Sequence, residues 1–217
     1  MKRIERVKII RTILNEKYPN PEIPLDHNNV FTLLIAVILS AQSTDKKVNE
    51  LTPDLFSVAS SPEAMARLGE NNIYQKIKQL GLSRQKAKHI NLTSNIIVNT
   101  FNGKVPNSFK DLESLPGVGH KTASVLMSQG FGVAAFPVDT HIHRLAQRWG
   151  LTNGLSVTQT EKDLKLLFKI EEWNKIHLQI IFYGREFCTA RGCDGRKCEL
   201  CKVLFPKRKY PFIHIKA

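Results

Sequence analysis

The sequence predicts an all-α protein. Three observations carry that expectation. Apolar residues recur at three- and four-residue spacing through most of the chain, and no stretch alternates convincingly with period two. Proline, glycine and capping residues also fall between the periodic segments. At 217 residues the chain is long enough for one or two domains with a sizeable hydrophobic core. It shows no internal repeat and no low-complexity tract.

The first helix carries Ile4, Val7, Ile10 and Leu14 and stops before Pro19, Pro21 and Pro24. Val30 to Ala41 (VFTLLIAVILSA) is apolar on nearly every side and reads as a helix buried on most faces. It is too short to span a bilayer, which needs about 20 such residues. Ser43-Thr44-Asp45 opens a short helix with Val48 and Leu51, which Pro53 is expected to end. Ser61-Pro62-Glu63 opens the next, proline suiting a first helical position. Gly69 and Gly81 punctuate the next segments, and Ser83 is expected to cap a longer helix running towards Phe101 and Gly103. Ser108–Asp111 and Thr158–Glu161 each fit a capping box, the first before Leu112 and Leu115, the second before Leu164 and Leu167. Val138-Asp139-Thr140 places the carboxylate as a helix N-cap.

Charge narrows the function. Lys and Arg number 32 against 19 Asp and Glu, a net +13, which implies a polyanionic partner, either nucleic acid or an anionic membrane surface. A hydrophobic fraction of 42% excludes wholesale disorder. The N-terminus mixes charged and apolar residues, without the apolar run of a secretory signal, so a cytoplasmic protein is expected. In a reducing compartment clustered cysteines point to a metal site rather than to disulfides. Cys188, Cys193, Cys198 and Cys201 all fall in one short stretch. From Gly184 onward nine Lys/Arg face three Asp/Glu, 9 − 3 = +6, so this basic, loop-rich tail must be tied down by something other than a large core.

The segment Leu115–Ala123 (LPGVGHKTA) reads as a hairpin between two helices. Pro116 ends the first helix, and Gly117 and Gly119, flanking Val118, let backbone approach a partner closely. The second helix begins near His120, so its free N–H groups form an anion site suited to a DNA phosphate. A nucleotide-binding P-loop is excluded, because His120 stands where that motif needs glycine before the lysine. Lys121 sits just inside the helix start, where the dipole and partial burial favour a neutral amine, the nucleophile that forms Schiff bases. Asp139 near such a lysine suits acid–base work on a sugar. His141 and His143 lie about 200° apart on a helix, so they read as packing residues and not as a metal pair.

Taken together, LSAQSTD at 39–45, LPGVGHKTA and VDTHIHRLAQRWG closely resemble the endonuclease III family of helix-hairpin-helix DNA glycosylases, essentially from end to end. The resemblance implies a bilobed all-α enzyme. A six-helix barrel spans about 23–134 and includes the hairpin at about 108–130; residues 1–22 with 135–217 form the second lobe, with the cysteine loop at 188–201. It further implies base excision repair of oxidised pyrimidines. Lys121 attacks C1′ of a flipped-out nucleotide, Asp139 is the catalytic carboxylate, and β-elimination cuts the strand 3′ to the abasic site. Gln42 fills the vacated space and Leu82 wedges into the stack; Pro116 to His120 and Arg191 contact DNA. The implied partner is double-stranded DNA with a damaged base or abasic site. A monomer acting on the bacterial nucleoid, with no membrane partner, is expected. Adenine-mismatch glycosylases, the alternative within the superfamily, usually lack a lysine at this position. A non-catalytic helix-hairpin-helix DNA-binding protein is the alternative outside it.

The cysteines depart from the family pattern. Relatives show C-x6-C-x2-C-x5-C, whereas this chain reads C-x4-C-x4-C-x2-C, with Lys207 where the fourth family ligand would stand. The expectation is a [4Fe-4S] cluster held by Cys188, Cys193, Cys198 and Cys201, with Cys193 substituting for the missing thiolate. Zinc or no metal are the alternatives. If metal is bound, its expected role is to staple the loop and present Arg191, Arg196 and Lys197 to phosphates.

Overall fold

A computed structural model describes residues 1–216, and among these every regular element is helical. The chain divides into two compact units, Ile23–Val133 and Met1–Glu22 with Ala134–Ala217.

The Ile23–Val133 lobe holds α2 (Val30–Ser40), α3 (Asp45–Phe56), α4 (Pro62–Ile77), α5 (Ser83–Thr100), α6 (Phe109–Glu113) and α7 (His120–Val125), which runs into a π-helical turn, Leu126–Gly130. Its axis is α2, buried at every position from Phe31 to Leu39. A helix apolar all round must be surrounded. Here α3, α5, α7 and the π turn pack on it, and α4 lies against α3 and α5. Burying each large aliphatic side chain contributes about 1.5–3 kcal/mol. The Asn29 side chain caps the N-terminus, accepting from the Thr32 N–H at 2.9 Å.

Two boundaries differ from the sequence expectation. Pro53 does not end α3, which continues to Phe56: proline forfeits only its own N–H bond, and burial of Leu55 and Phe56 holds the last turn. Ser83 is not a cap but the first residue of α5; the cap position belongs to Leu82, in the left-handed conformation. The remaining cap expectations in this lobe concern Ser61, whose hydroxyl accepts from Ala64, and Ser108, whose hydroxyl accepts from Asp111. Both caps are present.

The other lobe contains α1 (Arg3–Lys17), α8 (Thr140–Arg148), α9 (Val157–Leu167), a 3-10 turn at Ile170–Glu172, α10 (Trp173–Glu186) and α11 (Glu199–Leu204). Val7, Ile10 and Leu14 of α1 share one core with Ile142 and Leu145 of α8 and Ile176 and Ile180 of α10. Trp149 meets Tyr183 edge-on at 5.7 Å. The cap of α9 is Ser156, which accepts from the Gln159 N–H at 3.0 Å, and not Thr158. Starting there places Thr160 inside, where its hydroxyl meets His143 Nδ1 at 2.8 Å.

After α10 polar ties join the apolar core, to which Leu200 and Leu204 of α11 still contribute. The Arg148 guanidinium, 2% exposed, donates to the carbonyls of Cys188, Thr189 and Ala190 at 2.9–3.3 Å. Arg144 donates to the carbonyls of Gly184 and Cys188 at 3.1 Å. Downstream, Arg208 donates to the carbonyls of Gly195 and Arg148, and the Gln147 side-chain amide exchanges two hydrogen bonds with the Ile215 backbone. The tail is thus strapped across the cysteine loop.

Candidate functional site

Bracing from below shapes the hairpin. Its first helix, α6, is followed by Pro116, whose carbonyl accepts from the Thr93 hydroxyl of α5 at 2.9 Å. Gly117 has φ +80, and a Cβ there would stand 2.9 Å from His89 Nδ1. Two reasons therefore require glycine, the left-handed backbone and the closeness of α5. Val118 is buried under the turn, and its N–H bonds the Leu115 carbonyl at 3.1 Å. Gly119 caps α7 with no side-chain acceptor, so no side chain of its own covers the first turn. The His120 ring stacks on Phe109 at 5.5 Å and meets Glu113 Oε1 at 2.7 Å, fixing α7 to α6. Lys121 is exposed on the first turn of α7. The partial burial expected for it is absent, because at the second helical position its side chain projects from the hairpin.

Gln42 and Leu82 are two of the three non-glycine residues with positive φ among the described residues, at 54° and 58°. Holding a non-glycine residue there costs about 1–2 kcal/mol, and such strain concentrates at functional positions. Both side chains are exposed, Leu82 by 51%. The two loops adjoin: a Cβ added to Gly81 would lie 3.8 Å from the Gln42 carbonyl oxygen. The structure thus places an exposed amide and an exposed leucine on adjoining loops.

In the other lobe Asp139 caps α8, its Oδ1 accepting from the Ile142 N–H at 2.8 Å. The residue is 9% exposed, and the cap bond fixes the carboxylate's orientation. His143 turns inward, where burial pushes its imidazole below the ordinary histidine range.

Around Cys188 the structure gathers all four thiols, all buried, with every sulfur within 4.8 Å of the others. Hydrogen bonding within the set polarises it. Cys198, accepting from Cys188 and Cys201, is pushed well below the ordinary thiol range, whereas Cys188 and Cys201 rise. Arg148 Nη1 also approaches Cys188 Sγ at 3.4 Å. Four convergent buried thiols, soft ligands once deprotonated, form a chemically suitable metal site. The Cys188–Cys201 separation, 3.8 Å, equals the edge expected around a single tetrahedral ion with metal–sulfur bonds of about 2.3 Å. A cubane needs the sulfurs wider apart; three of the four lie in or border the non-helical stretch between α10 and α11. Lys207, at the family's fourth position, is exposed.

Of the basic residues near the cysteines, Arg191 and Lys197 are exposed, but Arg196 is committed internally, its Nε and Nη2 both donating to Asp194 Oδ2 and its Nη1 to the Lys209 carbonyl. Sequence reasoning missed the residues that hold this architecture: Lys86, Arg144, Arg148, Arg208 and Gln147. The only signal for two of them was the i, i+4 spacing of Arg144 and Arg148 on the helix Asp139 caps.

A family model described as HhH-GPD superfamily base excision DNA repair protein matches residues 35–169, which include the hairpin, Lys121 and Asp139. A protein named endonuclease III from Treponema pallidum (strain Nichols) is 44% identical over 191 residues, covering 87% of this chain and 90% of its own length. This chain belongs to the endonuclease III family. Two solved endonuclease III–DNA structures superpose on it. A trapped covalent intermediate, an estranged-adenine complex, has TM-score 0.87 and 37% identity, covering 92% of this chain and 94% of its own. A non-covalent endonuclease III–DNA complex has TM-score 0.86 and 35% identity, covering 95% of this chain and 100% of its own. The endonuclease III architecture thus extends over nearly the whole chain.

Proposed function

We propose that this chain is a bifunctional DNA glycosylase and AP lyase of base excision repair that releases oxidised pyrimidines from duplex DNA. The observation that carries the reading is Lys121, held exposed on a braced hairpin in a chain whose family relative has been trapped as a covalent intermediate with DNA. In the proposed reaction the Lys121 nitrogen lone pair forms a bond to C1′ as the glycosidic bond breaks, and the base leaves with the bonding electrons and takes up a proton. Loss of the nitrogen's proton and opening of the sugar give an imine. Removal of a C2′ proton then expels the 3′ phosphate, and water releases the enzyme. Asp139 is the acid–base carboxylate, its orientation fixed by the cap bond to Ile142. Gln42 and Leu82 occupy the stack that the flipped nucleotide vacates. The hairpin from Pro116 to His120, with Arg191, meets phosphates. The net +13 supports a salt-sensitive duplex partner.

Cys188, Cys193, Cys198 and Cys201 are proposed to hold the family's [4Fe-4S] cluster, which supplies a cross-link for a loop with little core of its own. Iron and sulfide analysis separates it from zinc. A monomer working in the bacterial cytoplasm on the nucleoid completes the reading. Its support is that the Treponema relative is bacterial and that no described helix is long and apolar enough to cross a membrane.

Borohydride trapping on a duplex with an abasic site tests the chemistry. The wild-type chain is expected to give a covalent adduct, and Lys121→Ala none. No adduct from the wild type overturns the lyase assignment and leaves a binding protein. With Asp139→Asn, base release should slow by about a hundredfold or more, the range for losing a positioned acid–base group, while duplex affinity stays within about twofold.

A further inference from the structure

Lys86 is the one lysine among the described residues that is nearly fully buried, at 4% exposure, and the proposed reaction gives it no role. It lies in the first turn of α5, where the helix's own dipole repels a cation. Two neutral acceptors compensate: its Nζ donates to the Leu39 carbonyl at 2.8 Å and to the Ser43 hydroxyl at 2.9 Å. Leu39 is in the last turn of α2, where the dipole favours a cation. The other terminal carbonyls of α2 have nearer partners. Val37 accepts from the Ser40 hydroxyl, Ile38 from the Ala41 N–H and Ser40 from the Ser43 N–H. Lys86 thus completes the C-terminal cap of α2 from a different helix.

The two acceptors flank Gln42 in sequence. The Lys86 backbone N–H bonds the Leu82 carbonyl at 2.9 Å, the i→i−4 bond that opens α5. The Lys86 side chain therefore ties Gln42's loop to the helix that Leu82 caps, joining two of the three non-glycine positions with left-handed backbone among the described residues. Burial also pushes the Lys86 ammonium below the ordinary lysine range, so the site keeps it at a cost that packing alone does not require.

We propose that Lys86 is the positioning residue that sets Gln42 in register with Leu82, so the two enter the DNA stack as a preformed pair. This rests on the stack-filling role proposed for Gln42. Without the ammonium, the Leu39 carbonyl loses its donor and the Ser43 side chain its anchor, and the loop can relax out of its strained conformation.

The test is a double-mutant cycle on base release, measured in single turnover on a duplex carrying one oxidised pyrimidine. Lys86→Met and Gln42→Ala should each slow release by about tenfold, and the double variant should be no slower than either alone. Fluorescence of 2-aminopurine opposite the lesion should report less base extrusion in Lys86→Met, with undamaged-duplex affinity within about twofold of wild type. A double variant slowed by the product of the two effects, about a hundredfold, overturns the proposal, as does a Lys86→Met enzyme of normal rate. An unaffected Gln42→Ala enzyme overturns instead the stack-filling role of Gln42, and the positioning role falls with it. If Lys86→Met does not fold, Ser43→Ala replaces it in the same cycle, with the same non-additivity expected.

Discussion

The α2 region and the cysteine loop solve the same problem, fixing irregular backbone beside a functional surface, by opposite means. Around α2 nine consecutive buried residues, Phe31 to Leu39, supply an apolar foundation on which the strained turns at Gln42 and Leu82 rest. Around Cys188 the foundation is polar: arginines buried against main-chain carbonyls, an amide strap from Gln147 to Ile215, and four thiols in place of hydrocarbon. Hydrophobic burial is non-directional and tolerates local damage. Hydrogen-bonded scaffolds lose heavily when one partner goes. The first kind of region should therefore fail gradually and the second abruptly.

Metal removal gives the largest expected contrast. Binding of a structural metal to thiolates is worth on the order of 10 kcal/mol in small metal-folded peptides. Stripping it should release amide-exchange protection from residues 188–216 while the Ile23–Val133 lobe keeps its own. Equal loss in both lobes would break the distinction. A cavity in the apolar foundation comes next: Ile35→Ala, at a fully buried position, should cost about 2–5 kcal/mol, read as a lower denaturation midpoint with amide-exchange protection of residues 188–216 unchanged. The smallest effect concerns His143, whose folded-state pKa lies below 6.5 because it is buried. At neutral pH both states are unprotonated. As pH falls through 6.5 the unfolded chain takes up a proton that the folded chain refuses, so stability declines until the folded pKa is reached. Between pH 7.5 and 5, wild type should lose stability relative to His143→Gln. The loss is about 1.4 kcal/mol for each tenfold by which folding weakens proton binding. Parallel curves would remove His143 from the polar scaffold's pH response.

Much of the first region was legible in the sequence. The apolar run at 30–41, the Pro62 start and the Ser108 cap are local patterns, and local patterns report helices well. Leu82 shows where this stops. Ser83 offers a hydroxyl at a helix start, yet the chain turns one residue earlier because the α5 N-terminus must meet the end of α2 through Lys86. Pro53 fails as a stop signal for a similar reason: the apolar face beyond it still has a core to enter. At the cysteines, spacing showed that one family ligand was missing and offered Cys193 in its place, and the fold buries Cys193 with the other three sulfurs.

By itself the sequence determined that this chain is helical, basic and built around a glycine hairpin with an adjacent lysine, because periodicity, charge and turn chemistry are short-range properties. Tertiary structure alone decided which residues act together. Lys86 with the Gln42 loop, Arg148 with the Cys188 carbonyl and Gln147 with Ile215 are joined across 43, 40 and 68 residues of sequence. No local pattern encodes such pairings. They exist because each buried polar group must find a partner wherever the packed helices bring one.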